Sequence, residues 1–291
     1  MTRRILLAGA TGAIGRRLTR LLRDADLVVF GTTRSPAKAQ ELRALGIEPL
    51  VVDVFDAQAL TDGVARARPD VVIHQLTELP AALPPDQMAA AAPRNARIRD
   101  EGTGNLVRAA LAAGAKRLVA QSIAWAYAPG PLPHVEDDPL DVGATGGRAV
   151  SVGGVVALEN YVLRTPGLDG VVLRYGQLYG PETGFDGPNG SMPLHVDAAA
   201  HAAFLALGKG SPGAFNIAER NGEASIAKAV SELGWRAEFR LEDVLGRVAQ
   251  RASPPRSLRT GREPLSSSGS RSPAVGHIEA ASARRALGWS G

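Results

Sequence analysis

Five short apolar runs, each too hydrophobic throughout to keep a wet face, alternate with stretches of helical periodicity. That alternation constrains this chain more than any other feature. Residues 5–8, 27–30, 50–52, 71–73 and 118–120 read as strands buried on both faces, and residues 15–24, 36–45, 56–67 and about 95–114 are rich in Ala, Leu and Arg at helical spacing. Strand–helix repetition with right-handed crossovers predicts an α/β fold, a Rossmann-type doubly wound parallel sheet. A further strand is expected at 171–174. Beyond Gly176 the regularity gives way to a Gly/Pro-rich loop, a helix at 197–207, a short strand at 215–217 and a helix at 224–233. The sequence therefore divides into a dinucleotide-type domain over 1–175 and a smaller, discontinuous C-terminal cap over 176–291. A basic irregular segment at about 247–277 and a last helix at 278–289 fall within that cap.

The formal net charge is +4 over 291 residues, and the excess is local. Six arginines (247, 251, 256, 259, 262, 271) face one acid, Glu263, between residues 247 and 272. That stripe contains no aromatic residue on which a base could stack, which argues against nucleic acid. No apolar run reaches the roughly 18 residues of a membrane span, so no membrane partner is expected and a cytoplasmic location is. With no cysteine there is no disulfide, thiolate metal site or cysteine nucleophile, and no His/Asp/Glu spacing suggests a metal. A small molecule remains the expected partner, with a homodimer left open.

Gly9-Ala10-Thr11-Gly12-Ala13-Ile14-Gly15 follows the first strand and opens the first helix. A pyrophosphate must approach backbone N–H groups at a helix N-terminus, and residues without side chains permit that approach. Gly9, Thr11, Gly12, Ala13, Ile14 and Gly15 are thus cofactor candidates. The second strand ends in Thr32-Thr33-Arg34-Ser35, without the acid that would hydrogen-bond both ribose hydroxyls of NAD. Arg34 can pair with a 2′-phosphate, which favours NADP over NAD. His74, closing the fourth strand on the same side, is a further cofactor candidate.

The glycine spacing resembles the short-chain dehydrogenase/reductase superfamily, and more islands resemble its extended branch, the sugar-nucleotide epimerases and dehydratases. They are Val51-Val52-Asp53-Val54, Gly102-Thr103-Gly104-Asn105-Leu106, Leu173-Arg174-Tyr175-Gly176-Gln177-Leu178-Tyr179-Gly180-Pro181 and His195-Val196-Asp197. The resemblance implies that Asp53 and Val54 lie beside an adenine.

The superfamily's chemistry implies a tyrosine with a lysine four residues on. None exists here: Pro131, Thr165, Tyr179 and Thr183 stand four residues beyond the four tyrosines. The family pattern falls on Ser151, Val155 and Glu159. The family's Ser/Thr falls on Ile123, beside Ser122. An unaided serine hydroxyl does not replace a lysine-activated tyrosine, so the candidate catalytic set is Tyr127 as substitute proton donor, with Ser122 and Ser151. Gln121, Gln177 and Arg94 are candidate substrate contacts, as is Arg174; the Pro-rich stretch 77–94 is expected to line the pocket. His195 reads as an anchor of the helix that follows it. Two functions follow: an enzyme acting on a small or secondary-metabolite substrate, by redox chemistry or by non-redox isomerisation, dehydration or cyclisation, or a cofactor-sensing regulatory protein without turnover.

Overall fold

The computed structural model describes residues 3–79 and 85–242. The basic segment at 247–277 and the helix expected at 278–289 lie outside the described residues. Nine strands are formed among the described residues: β1 (Arg4–Ala8), β2 (Val28–Thr33), β3 (Glu48–Val51), β4 (Val71–His74), β5 (Arg117–Ile123), β6 (Asp169–Tyr175), β7 (Gln177–Tyr179), β8 (Pro193–His195) and β9 (Gly213–Ile217). Seven make one sheet in the order β3-β2-β1-β4-β5-β6-β9, and β7 and β8 pair separately. Every pairing in the large sheet is parallel. The order reverses between β1 and β4, and that switch point opens the crevice at the strands' carboxyl ends.

Alternation along β1 divides the core. Ile5 and Leu7 join one apolar cluster, whereas Leu6 and Ala8 join another on the opposite face. Helices α1 (Ala13–Asp24), α2 (Pro36–Ala44) and α7 (Val196–Leu205) cover the first face, with Leu18, Leu22, Leu42 and Phe204 buried there. Helices α3 (Ala57–Ala67), α5 (Thr103–Ala112) and α6 (Gly146–Arg164) cover the second through Leu60, Val64, Leu106, Leu158 and Val162. Each fully buried Leu or Val contributes about 1.5–3 kcal/mol relative to exposure. His195 caps α7, its Nδ1 accepting from the Asp197 N–H at 3.2 Å.

One expectation needs correction, that of a helix over 224–233. Beyond residue 176, α7 packs on α1 and β9 extends the main sheet beside β6. Within the Pro-rich stretch 77–94, α4 runs Pro85–Arg97, with Pro85 in its first turn and Pro93 inside, and passes through a π-helical turn (Ile98–Gly102) into α5. A proline at the first turn costs no hydrogen bond, which is why a Pro-rich composition can still begin a helix. The helix expected at 224–233 begins later. The Asn221 side chain accepts the Glu223 and Ala224 N–H groups in a turn, and the segment then closes as a π-helical turn at Ala229–Leu233.

Candidate functional site

The glycine loop is shaped by close approaches that a β-carbon would forbid. Gly9 has φ +91°, and a Cβ there would stand 2.6 Å from the Gln75 carbonyl oxygen. At Gly15 it would stand 2.1 Å from the Gly9 carbonyl oxygen, so this glycine seats α1 against its own loop. Gly12 differs. A Cβ there meets nothing nearer than 3.5 Å and would project into space. No side chain caps α1 and no acid occupies its first turn, so the first N–H groups of the helix, those of Ala13, Ile14 and Gly15, remain available to an anion.

That space is a cavity of about 590 Å³. Its walls come from the loop (Gly9, Thr11, Gly12, Ala13), the end of β2 (Thr32, Thr33, Arg34, Ser35), the turn after β3 (Asp53, Val54, Phe55) and the segment after β4 (Gln75, Leu76, Thr77). Asp53 turns the chain by accepting the Phe55 N–H at 3.0 Å, and Asn105 holds the wall by donating to the Val54 carbonyl at 2.9 Å. A dinucleotide fits these residues: a bare glycine and uncapped amides for the pyrophosphate, an apolar slot at Val54 and Phe55 for an adenine. Lys38, which the sequence reading passed over, lines the cavity with Arg34. It stands one helical turn beyond Arg34 on α2, whose N-cap is Ser35; that i,i+4 spacing was the available signal. Ile14 is buried in the core, so only its backbone can serve the site.

His74 lies in the interior. Its Nε2 meets the Thr103 hydroxyl at 2.9 Å, its Nδ1 accepts the Leu76 N–H at 3.2 Å, and it is fully buried. Burial, with the nearby Arg99 charge, pushes its pKa down to about 4. It is a neutral strut behind the cavity wall, and it is not among the residues lining that wall.

The expected catalytic residues do not converge on one open point. Ser122 Oγ donates to Glu159 Oε1 at 2.9 Å, and Arg174 grips both oxygens of the same carboxylate, Nε to Oε1 at 3.0 Å and Nη2 to Oε2 at 2.7 Å. Arg174 Nη1 also donates to the Tyr127 hydroxyl at 2.8 Å, and that hydroxyl donates to Asn216 Oδ1 at 2.6 Å. The Tyr127 ring stacks on His134 with centroids 4.7 Å apart. Burial raises the Tyr127 pKa, against the lowering effect of Arg174. Burial also works to lower the Arg174 pKa, and Glu159 more than reverses it. Together these groups form a closed network joining β5, α6, β6 and β9. The Tyr127 proton is already committed to Asn216.

Ser151 donates to the Gly147 carbonyl of its own helix at 3.3 Å, while Val155 is fully buried in an apolar cluster with Ala126 and Val152. Gln121 donates to the Leu76 carbonyl at 3.2 Å and so braces the cavity wall. Gln177 accepts the Met192 N–H at 2.9 Å, tying β7 to β8. Arg94 is exposed, 4.0 Å from Glu78.

A family model described as the NAD dependent epimerase/dehydratase family matches residues 5–218. Over 237 residues, covering 74% of this chain and 76% of the relative, the chain is 42% identical to a Streptomyces protein named 3-diazoavenalumate denitrifying reductase. Among solved structures, UDP-glucose 4-epimerase from Thermus thermophilus in complex with NAD matches with a TM-score of 0.66 at 19% identity, over 82% of this chain and 95% of that one. The dTDP-glucose 4,6-dehydratase DesIV from Streptomyces venezuelae matches with a TM-score of 0.64 at 21% identity, over 84% and 95%. At these identities the structures speak for the fold, while the family match spans most of the chain. The chain belongs to the NAD-dependent epimerase/dehydratase family.

Proposed function

We propose that this protein is an NADP-dependent reductase that removes the nitrogen of a diazo-bearing small molecule as dinitrogen. The observation that carries the reading is the replacement of the family's proton-donor pair. In the sequence pattern the family's tyrosine and lysine fall on Ser151, whose hydroxyl donates to the Gly147 carbonyl, and on Val155, which is buried among apolar neighbours. Reduction of a carbonyl needs a proton for the developing alkoxide. Replacement by hydride does not, where the diazo group reacts as an aryl diazonium cation: the C–N bond breaks with both electrons leaving on dinitrogen, hydride forms the C–H bond at the same carbon, the positive charge is cancelled by the hydride, and no anion is left to protonate. The reduced nicotinamide, when bound, supplies that hydride. The curated relative's name joins a diazo substrate to reduction, and the chain that lacks the acid matches the reaction that does not need one.

In this reading the protein positions its reactants. Gly12 and the first amides of α1 hold the pyrophosphate, and Val54 and Phe55 flank the adenine beside Asp53. Ser122 and Tyr127 act as positioning residues that keep Glu159 and Arg174 in place under the ends of β5 and β6. The protein is expected to release one equivalent of dinitrogen per NADPH oxidised when given 3-diazoavenalumate, followed by absorbance and headspace gas analysis. Cofactor binding with no oxidation of NADPH would overturn the proposal and favour a cofactor-sensing role.

The NADP preference rests on Arg34, Ser35 and Lys38 at the cavity edge, with no acid at the end of β2. Glu78 approaches Arg34 only to 4.0 Å, too far for the bidentate grip that a phosphate accepts. Charge-assisted contacts of this type contribute about 1.5–3 kcal/mol each, about tenfold or more in affinity. Calorimetric titration is expected to show NADP(H) binding at least tenfold tighter than NAD(H), and Arg34→Ala to remove most of that difference. Equal affinities in the unaltered protein would contradict it.

A further inference from the structure

Gln75 follows the last residue of β4 and is 6% exposed, yet it lines the main cavity. Its backbone is fixed against the glycine loop. The Gln75 N–H donates to the Ala8 carbonyl at 2.8 Å, and its own carbonyl oxygen is the atom that a Cβ on Gly9 would strike. Its side chain leaves in the other direction. Nε2 donates to the hydroxyl of Tyr175, which ends β6, at 3.5 Å, and that hydroxyl donates to the Ala199 carbonyl at 3.1 Å.

The order of donors sets which way the amide faces. A tyrosine hydroxyl has one proton, here given to Ala199, and burial raises the Tyr175 pKa so that the proton stays. Toward Gln75 the hydroxyl can only accept, so the amide presents Nε2 to it and turns Oε1 away. That oxygen is buried and has no hydrogen-bond partner among the described residues. Buried acceptors are nearly always paired, because an unpaired one forfeits its hydration without return. The other walls of the cavity account for part of a dinucleotide, with Val54 and Phe55 beside the adenine and Gly12 at the pyrophosphate. In the strand order β3-β2-β1-β4-β5-β6 the adenine half lies over β3 and β2 and the pyrophosphate over β1. The second half then extends over β4 and β5, where Gln75 stands.

We propose that Gln75 is a binding residue for the nicotinamide half of the dinucleotide, its Oε1 accepting a hydrogen bond from the carboxamide N–H or from a hydroxyl of the adjoining ribose. The inference rests on the dinucleotide reading above and is independent of the diazo chemistry. Calorimetric titration compares NADP+ with adenosine 2′,5′-bisphosphate, which keeps the adenine half and lacks the nicotinamide half, in the unaltered full chain, in Gln75→Met and in Gln75→Leu. Both variants are expected to lose about three- to tenfold in NADP+ affinity, the equivalent of one hydrogen bond, with bisphosphate affinity unchanged. Without ligand, they should melt at or above the temperature of the unaltered protein, because they remove an unpaired buried acceptor. The 3-acetylpyridine analogue of NADP+ has no amide N–H and separates the two donors. Affinity for it that is indifferent to Gln75→Met assigns the carboxamide, an equal loss assigns the ribose, and either result upholds the role of Gln75. NADP+ affinity within twofold in both variants, or an equal loss for the bisphosphate, would overturn the proposal. A lowered melting temperature in both variants would assign Gln75 to the fold and overturn it too. Absence of NADP+ binding in the unaltered protein would overturn the cofactor reading along with this inference, whereas binding indifferent to Gln75 would overturn this inference alone.

Discussion

Glu159→Ala is expected to destabilise the protein by about 3–5 kcal/mol, measured by denaturant unfolding with intrinsic fluorescence, because it strands a guanidinium that has left water. The Arg174 and Glu159 side chains are 6% and 7% exposed, and their bidentate contact is the centre of the network. Removing the carboxylate also leaves the Ser122 hydroxyl without its acceptor. The loss is a large fraction of a stability that for most domains is only about 5–15 kcal/mol, so the single variant can fail to accumulate. The double variant Glu159→Leu with Arg174→Met removes both charges and is expected to recover most of the loss, since paired apolar replacements of buried ion pairs are often near neutral. A single variant within about 1 kcal/mol of the unaltered protein, or a double variant worse than the single, would contradict this picture.

The second large effect concerns the glycine loop and separates folding from binding. Gly15→Ala puts a methyl group against the Gly9 and Ala10 backbone, with contacts of 2.1 and 2.8 Å. Backbone on both sides leaves no flexible atom to yield, so overpacking of about 1–3 kcal/mol is expected. The displaced amides also cost dinucleotide affinity. Losing two charge-assisted bonds of about 1.5 kcal/mol each amounts to about 3 kcal/mol, roughly a hundredfold. Gly12→Ala is the control, because its methyl group meets nothing closer than 3.5 Å. It is expected to melt like the unaltered protein and still bind dinucleotide weakly, because the methyl group occupies the approach to the helix N-terminus. Unchanged dinucleotide affinity in Gly12→Ala would show that the pyrophosphate does not lie there.

The central layers of the fold were legible because their signal is local. Strands such as β1, β4 and β5 are apolar on both faces, and that pattern has few interpretations beyond the interior of a parallel sheet. The glycine loop was legible for the same reason, since strand, turn and helix follow one another within a few residues. Assignments that depend on tertiary partners were not. Tyr127 sits on the loop after β5, where a reacting group was expected, yet Arg174 from β6 and Asn216 from β9 take up its hydroxyl. No spacing in the sequence announces that meeting. His74 closes a strand at the cofactor side, but Thr103 and the backbone of Leu76 hold it inward. Arg99 stands in a stretch, about 95–114, that in the sequence reads only as a helix rich in Ala, Leu and Arg. Only the π-helical turn and the packing of α6 reveal that this one is buried.

The central claim, hydride delivery to a diazo-bearing carbon without a proton donor, is tested most directly by following the new hydrogen. With NADPH deuterated at the transferred position and 3-diazoavenalumate in ordinary water, the product is expected to carry one deuterium at the carbon that lost nitrogen. With unlabelled NADPH in heavy water it should carry none there. Deuterium at that carbon drawn from heavy water would show that a protein or solvent proton enters the product, and would contradict the account.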